Sequence, residues 1–152
     1  MCDYSLHTVA SRPAKAGDML VTTSFNATQF NGTISRGFCA EDEPDVAVCL
    51  MPGTEVAFAT EPTRHGVLAP LLLWLGVGRI GSKLARFRKV NLDYQAAHHD
   101  ALEFSNGKIV LVTALRRGLE ATVLQLPVMI DGDSSATKHN SISSQSPERA
   151  EA

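Results

Sequence analysis

Cysteine and histidine side chains near the N-terminus are the residues of this sequence best suited to chemistry. Removal of Met1 would leave Cys2 with an α-amine and a thiol on one residue, and these two donors form a five-membered chelate. Thiolate and imidazole ligands suit zinc, nickel or copper, so Cys2, His7 and His98 are a candidate metal site. The spacing matches no common zinc motif, and the simpler interpretation makes Cys2 a small buried hydrophobe.

An N-terminal cysteine also allows a second chemistry, in which the α-amine serves as the base for its own thiol nucleophile. N-terminal nucleophile hydrolases use this arrangement, but their scaffold has two sheets between helical layers. This sequence predicts one helix at most. An N-terminal cysteine hydrolase is therefore the last-ranked alternative, and no catalytic residue is assigned.

The longest apolar run, residues 67–77, continues into a basic stretch, and no acidic residue occurs between Thr63 and Leu92. The run is shorter than the roughly 20 residues of a membrane-spanning helix. Apolar side chains with a tryptophan, followed by basic ones, are typical of a segment that docks in a partner's groove or on a lipid surface. The predicted interaction residues are Leu71, Leu72, Trp74, Leu75, Arg79, Lys83 and Arg86.

A protein partner or a second copy of the chain is the favoured occupant of this apolar-basic segment, defined here as residues 67–89. Membrane-surface contact is less favoured, and nucleic acid is not expected, because aromatic residues do not interleave the basic cluster. The chain is accordingly interpreted as a non-enzymatic cytoplasmic binding module. The metal-binding protein built on Cys2, His7 and His98 is the alternative.

The conformation of the apolar-basic segment stays open at this point. Apolar side chains recur at helical spacing, at Leu73, Val77, Ile80, Leu84 and Phe87. Three glycines, at 76, 78 and 81, oppose a helix because each costs roughly 1 kcal/mol relative to alanine. Alternation over residues 85–88 also permits a strand, so the segment is a helix or a hairpin.

Short β-branched runs separated by glycine, proline or asparagine about every ten residues predict a β-rich domain elsewhere. One strand is expected over residues 19–25. Residues 37–40, 46–50 and 54–58 are expected to form three successive antiparallel strands, the first two flanking an acidic turn.

The Asn106-Gly107 pair predicts a β-hairpin with a type I′ turn. With these two residues at the centre of the turn, Phe104 would lie near Ile109, and Leu102 would lie across from Leu111. Residues 121–126 are then expected to return beside the hairpin as a meander.

Length and composition predict one domain, since the chain has 152 residues, is 44% hydrophobic and carries a net charge of −2. The near-neutral charge gives no global signature of nucleic-acid binding. Three cysteines are too few for a disulfide scaffold, and no signal-peptide pattern occurs, so the thiols are expected to be free in the cytoplasm. Polar residues 131–152 read as a disordered tail.

The expected architecture is thus a single β-rich domain over residues 1–130, followed by the tail. Its fold class is mainly β, a small antiparallel barrel or sandwich of about seven to nine short strands with one inserted apolar-basic helix or hairpin.

Several short motifs resemble those of a group of small, functionally uncharacterised bacterial proteins of proteobacterial type. The motifs are Cys2-Asp3-Tyr4-Ser5-Leu6-His7, Ser11-Arg12-Pro13-Ala14-Lys15, Arg36-Gly37-Phe38, Ala47-Val48-Cys49-Leu50, Pro52-Gly53-Thr54-Glu55 and His98-His99-Asp100-Ala101-Leu102-Glu103-Phe104. The resemblance covers most of residues 2–127 and implies a bacterial single-domain protein. The group has no assigned activity, so the resemblance implies no site residues.

Overall fold

The computed structural model describes residue 6 and residues 8–26, 34–65, 78–94 and 97–128. These residues form nine β-strands and a short 3-10 helix at Val112–Ala114. The strands are β1 Ser11–Pro13, β2 Met19–Asn26, β3 Ile34–Ala40, β4 Glu43–Cys49, β5 Glu55–Phe58, β6 Leu84–Lys89, β7 Asp100–Phe104, β8 Ile109–Leu111 and β9 Glu120–Gln125.

All nine strands belong to one sheet, in the order β1-β4-β3-β2-β9-β5-β6-β7-β8. β1 pairs with β4 in parallel, and the other neighbours are antiparallel. The mainly β class and the expected number of strands are confirmed. The sheet is nevertheless mixed and open, since β1 and β8 lie at its two ends, and it is not a closed antiparallel barrel.

Strands β2 to β9 all contribute buried apolar side chains to one main core, so the open sheet curls around it. At its centre Phe58 and Phe104 stack with ring centroids 5.9 Å apart. Register shifts in β3, at Cys39/Ala40, and in β5, at Glu55/Val56, help the curling. Such bulges bend a strand and increase its twist.

A smaller core lies on the opposite face of β2, β3 and β4, where Leu6 packs against Phe25, Cys39 and Ala47. Gly37 makes this packing feasible, because a Cβ atom there would lie 3.0 Å from Leu6 Cδ1. The absence of a side chain at Gly37 lets Leu6 pack on this face of the sheet.

Strand β9 enters the middle of the sheet between β2 and β5. Buried Thr22 on β2 fixes the preceding turn: its hydroxyl donates to Arg116 O (2.7 Å) and accepts from Leu119 N (2.8 Å). The 3-10 helix after β8 carries the chain away from the hairpin. The expected meander over residues 121–126 is therefore wrong, because β9 pairs with β2 and β5 and not with β8.

The successive antiparallel order predicted for residues 37–58 is correct for β3 and β4 only. β5 does not pair with β4; it lies between β9 and β6. The local sequence pattern predicted that each stretch forms a strand. It did not predict which strands are neighbours, because β5 pairs with β9 and β6, which lie far along the chain.

The hairpin of β7 and β8 forms, with a register one residue away from the predicted one. Leu102 pairs with Val110, and Ile109 lies opposite Glu103 on the exposed face. Gly107 has φ +81°. The loop thus comprises residues 105–107 and ends in a left-handed glycine, a three-residue connection in place of the two-residue type I′ turn.

The single amphipathic helix over the apolar-basic segment is wrong for its C-terminal half. Leu84–Lys89 is strand β6, in which Leu84 is 44% exposed while Phe87 is 2% exposed. Gly78 and Gly81 have φ values of +94° and +82°, which an α-helix does not accommodate. Residues 66–77 and the predicted tail from residue 131 lie outside the described residues.

Candidate functional site

The two chain stretches that flank residues 66–77 lie side by side. Thr63 and Arg79 form an isolated antiparallel bridge. Arg64 N donates to Gly78 O (3.1 Å), and Ile80 N donates to Pro62 O (3.3 Å). These contacts hold residues 62–64 beside residues 78–80, between β5 and β6 in the chain.

Ile80 anchors this junction, because its side chain is 1% exposed in the main core. Asn106 Nδ2 donates to Ile80 O (2.7 Å), which ties the junction to the turn between β7 and β8. Gly81 N donates to Glu61 Oε1 (3.0 Å) on the other side. Lys108 Nζ lies 3.5 Å from Arg79 O, so the hairpin adds a third cation to the junction.

A concavity of about 260 Å³ opens at this junction and is lined by Arg64, Gly78, Arg79 and Lys108. The three basic side chains are exposed. None of them takes part in the ion pairs formed within the described part of the chain. The described lining residues include three cations and no carboxylate, a composition that favours an oxyanion, above all a phosphate.

The local charge extends beyond this basic concavity. Residues 63–92 and 104–119 contain no aspartate or glutamate. Arg116 and Arg117 are exposed on the turn that follows the 3-10 helix, and Arg116 N donates to Thr63 O (3.0 Å). One end of the molecule is thus basic, although the whole chain has a net charge of −2.

The other basic side chains of the apolar-basic segment serve the sheet. Lys83 Nζ donates to Ala59 O (3.0 Å). Arg86 pairs with Glu55 (2.7 Å), and this contact raises the pKa of the Arg86 guanidinium. Of the basic interaction residues predicted from the sequence, the structure places Arg79 in the concavity, Lys83 just before β6 and Arg86 in β6.

Two further pairs cross β6 and β7, Arg88 with Glu103 (2.7 Å) and Lys89 with Asp100. These pairs join the neighbouring strands β6 and β7.

The apolar members of the predicted interaction set lie outside the described residues. They are Leu71, Leu72, Trp74 and Leu75.

Sequence reasoning missed Arg64 and Lys108, which share the concavity with Arg79. Arg64 precedes the apolar run, whereas the predicted basic interaction residues all follow it. Lys108 is 29 residues from Arg79 in the chain, and only the tertiary fold joins them. The lack of acidic residues over 104–119 was the one signal available for Lys108.

The predicted metal ligands are brought together by no described contact. His98 is half-buried, and its carbonyl accepts from Asn91 Nδ2 (3.1 Å). The described residues contain no group of three or more His, Cys, Asp or Glu side chains that could hold a metal ion. Cys2 and His7 lie outside those residues, so the metal site stays a prediction.

The two described cysteines, Cys39 and Cys49, are in different states. Cys39 is free, as expected, and 4% exposed; its Sγ lies 3.6 Å from Val21 O, and burial raises its pKa. A reactive thiol needs exposure and a lowered pKa, so Cys39 does not qualify as a nucleophile. Cys49 is disulfide-bonded, which makes the expectation of a free thiol wrong there.

A charged cluster at the other end of the sheet has a structural role. Arg12 on β1 pairs with Asp18 (2.8 Å) and with Glu43 on β4 (2.5 Å). Burial raises the pKa of Asp18, but hydrogen bonds from Arg12 and from the Lys15 backbone, with the charges of both residues, outweigh it and leave the pKa lowered. The cluster ties the turn before β2 to the edge of the sheet.

No protein-family model matches the chain, and neither curated proteins nor solved structures give a significant match. Among the described residues, none of the helical structure is long and apolar enough to cross a membrane. The site must therefore be interpreted from its own geometry.

Proposed function

We propose that the chain is a non-enzymatic binding module that acts through the apolar-basic segment. The observation that carries this proposal is the junction of Arg64 and Gly78, since it places the residues that flank 66–77 at one basic concavity. Residues 66–77 hold five leucines and Trp74 and no charged side chain. An apolar sequence between cations that form no ion pair with the described residues is typical of an interaction segment.

The chemistry of the described residues supports a binding role over catalysis. The free thiol of Cys39 is buried with a raised pKa. The carboxylates of Asp18, Glu43 and Asp100 are held in ion pairs with basic side chains. Such ion pairs are typical of carboxylates that stabilise a fold.

The test replaces Leu72 and Trp74 together by serine in the full chain. We expect the melting temperature to stay within about 4 °C of the wild-type value, which corresponds to roughly 1 kcal/mol for a chain of this size. Analytical ultracentrifugation should show weaker self-association for the variant. The matched control is Leu92→Ser with Tyr94→Ser, which removes a leucine and an aromatic side chain that are 70% and 71% exposed.

A different outcome would refute the proposal. If the L72S/W74S variant lost much more than 4 °C and sedimented like the wild type, the two side chains would belong to the core. If the L92S/Y94S control weakened self-association equally, the apolar-basic segment would have no special role.

A further inference from the structure

The residues that line the basic concavity favour one class of ligand. We infer that Arg64, Arg79 and Lys108 bind the phosphate of an anionic phospholipid at a membrane surface, an assignment that rests on the binding role proposed for the apolar-basic segment. The three side chains come from three stretches of the chain and line one opening of about 260 Å³. Their convergence is produced by the hydrogen bonds of Ile80 with Pro62 and Asn106.

Phosphate is the anion that this donor set recognises best. Each guanidinium offers planar N–H donors that bind two phosphate oxygens at once, and the lysine ammonium adds a compact charge. The nearest acidic residue along the chain, Glu61, is engaged with the backbone N–H of Gly81. Arg64 and Arg79 form no ion pair with any carboxylate in the described part of the chain.

The order of residues along the chain selects a lipid over a soluble phosphate. The uncharged residues 66–77 begin just after Arg64 and end just before Arg79. Since Arg64 N donates to Gly78 O, the residues that flank this apolar stretch lie side by side at the concavity. An apolar sequence with a tryptophan between two basic residues is typical of segments that enter the lipid interface.

The adjoining surface fits the same ligand. Arg116 and Arg117 are exposed on the neighbouring turn, and Arg116 N donates to Thr63 O (3.0 Å). An anionic bilayer presents many phosphates in a plane and attracts such a group of cations together. A protein partner would instead have to supply several carboxylates to the same surface. The sign and spread of the charge thus agree with a membrane surface.

The experiment is co-sedimentation of the full chain with vesicles of phosphatidylcholine alone or mixed with phosphatidylglycerol. We expect the wild-type chain to bind the mixed vesicles and to be released by salt. Arg64→Gln with Arg79→Gln should weaken this binding about 25-fold, since each basic residue near an anionic surface is worth roughly a factor of five. Both side chains are exposed, so the variant should fold.

A matched control removes two positive charges elsewhere, by Lys15→Gln with Arg88→Gln. Lys15 lies on the turn before β2, and Arg88 is held by Glu103 on the sheet. We expect this control to bind mixed vesicles within about twofold of the wild type, because screening confines charge effects to roughly a Debye length. Equal losses in R64Q/R79Q and K15Q/R88Q would overturn the assignment.

Two further arms separate the ways in which the inference can fail. If the wild type ignored both vesicles while inorganic phosphate raised its melting temperature, and not that of R64Q/R79Q, the ligand would be a soluble phosphate. If L72S/W74S abolished vesicle binding and R64Q/R79Q retained it, the phosphate site would be refuted and the proposed function would stand. Full vesicle binding by both variants would refute the phosphate site, and the proposed function would then depend on the self-association test alone.

Discussion

Exposed and buried side chains alternate along β6, and this alternation gives the sharpest test of the fold. We expect Phe87→Ala to destabilise the protein far more than Leu84→Ala, because Phe87 is 2% exposed in the main core and Leu84 is 44% exposed. Burial of a phenylalanine removes about 150–250 Å² from water. At about 25 cal/mol per Å² this corresponds to about 4–6 kcal/mol, which overlaps the 3–5 kcal/mol typical of Phe-to-Ala substitutions.

For Leu84, about half of the roughly 1.5–3 kcal/mol of a fully buried leucine is at stake, or about 1 kcal/mol. Urea unfolding followed by far-ultraviolet circular dichroism measures both free energies of unfolding. Phe87→Leu is the milder companion variant, with an expected loss of about 2 kcal/mol, in case the alanine variant does not fold. Equal losses at Leu84 and Phe87 would place both on one face, as in a helix, and would refute strand β6.

Three more outcomes follow from the structure. Gly107→Val should lower the melting temperature more than Gly107→Asn, because Gly107 has φ +81° and asparagine tolerates this backbone angle better than a β-branched residue. An added Cβ meets no atom within 4 Å, so backbone strain is the only cost. Equal melting temperatures would contradict the turn. Alkylation of denatured protein without reductant, followed by peptide mapping, should modify Cys39 but not Cys49, and the native Cys39 should react slowly because burial raises its pKa. The lowered pKa of Asp18 contributes stability that is present above its unfolded-state pKa of about 3.9 and is lost as pH falls through the folded-state value. The free energy of unfolding of Asp18→Asn, measured by urea titration, should therefore fall less than that of the wild type as the pH is lowered below about 4. Identical pH profiles would contradict the ion pair between Arg12 and Asp18.

Local patterns predicted the elements of this fold better than their partners. The β-branched run at residues 19–25 became strand β2, and the acidic turn joins β3 to β4 as expected. Strand pairing failed where it depends on distant contacts. The position of β9 is set by Thr22, whose hydrogen bonds span more than 90 residues of sequence and leave no local pattern.

The apolar-basic segment shows how one pattern fits two structures. Phe87 would be buried both on the apolar face of a helix and on the inward side of a strand. Leu84 distinguishes the two conformations, since it is exposed in β6 but would be buried on the apolar face of the helix. The left-handed glycines at 78 and 81 decide against the helix. Arg79 was identified as a candidate from its position in the basic stretch, but its neighbours Arg64 and Lys108 required the tertiary structure.

The ends of the sheet govern how the chain meets other chains. β1 and β8 are three residues each. An exposed edge is a template for strand addition and aggregation, and natural proteins protect it with short strands and proline. Pro13 removes an N–H donor at the end of β1. An incoming strand would gain few hydrogen bonds at either edge, so the sheet can stay open without polymerising, and any self-association must use side-chain surfaces.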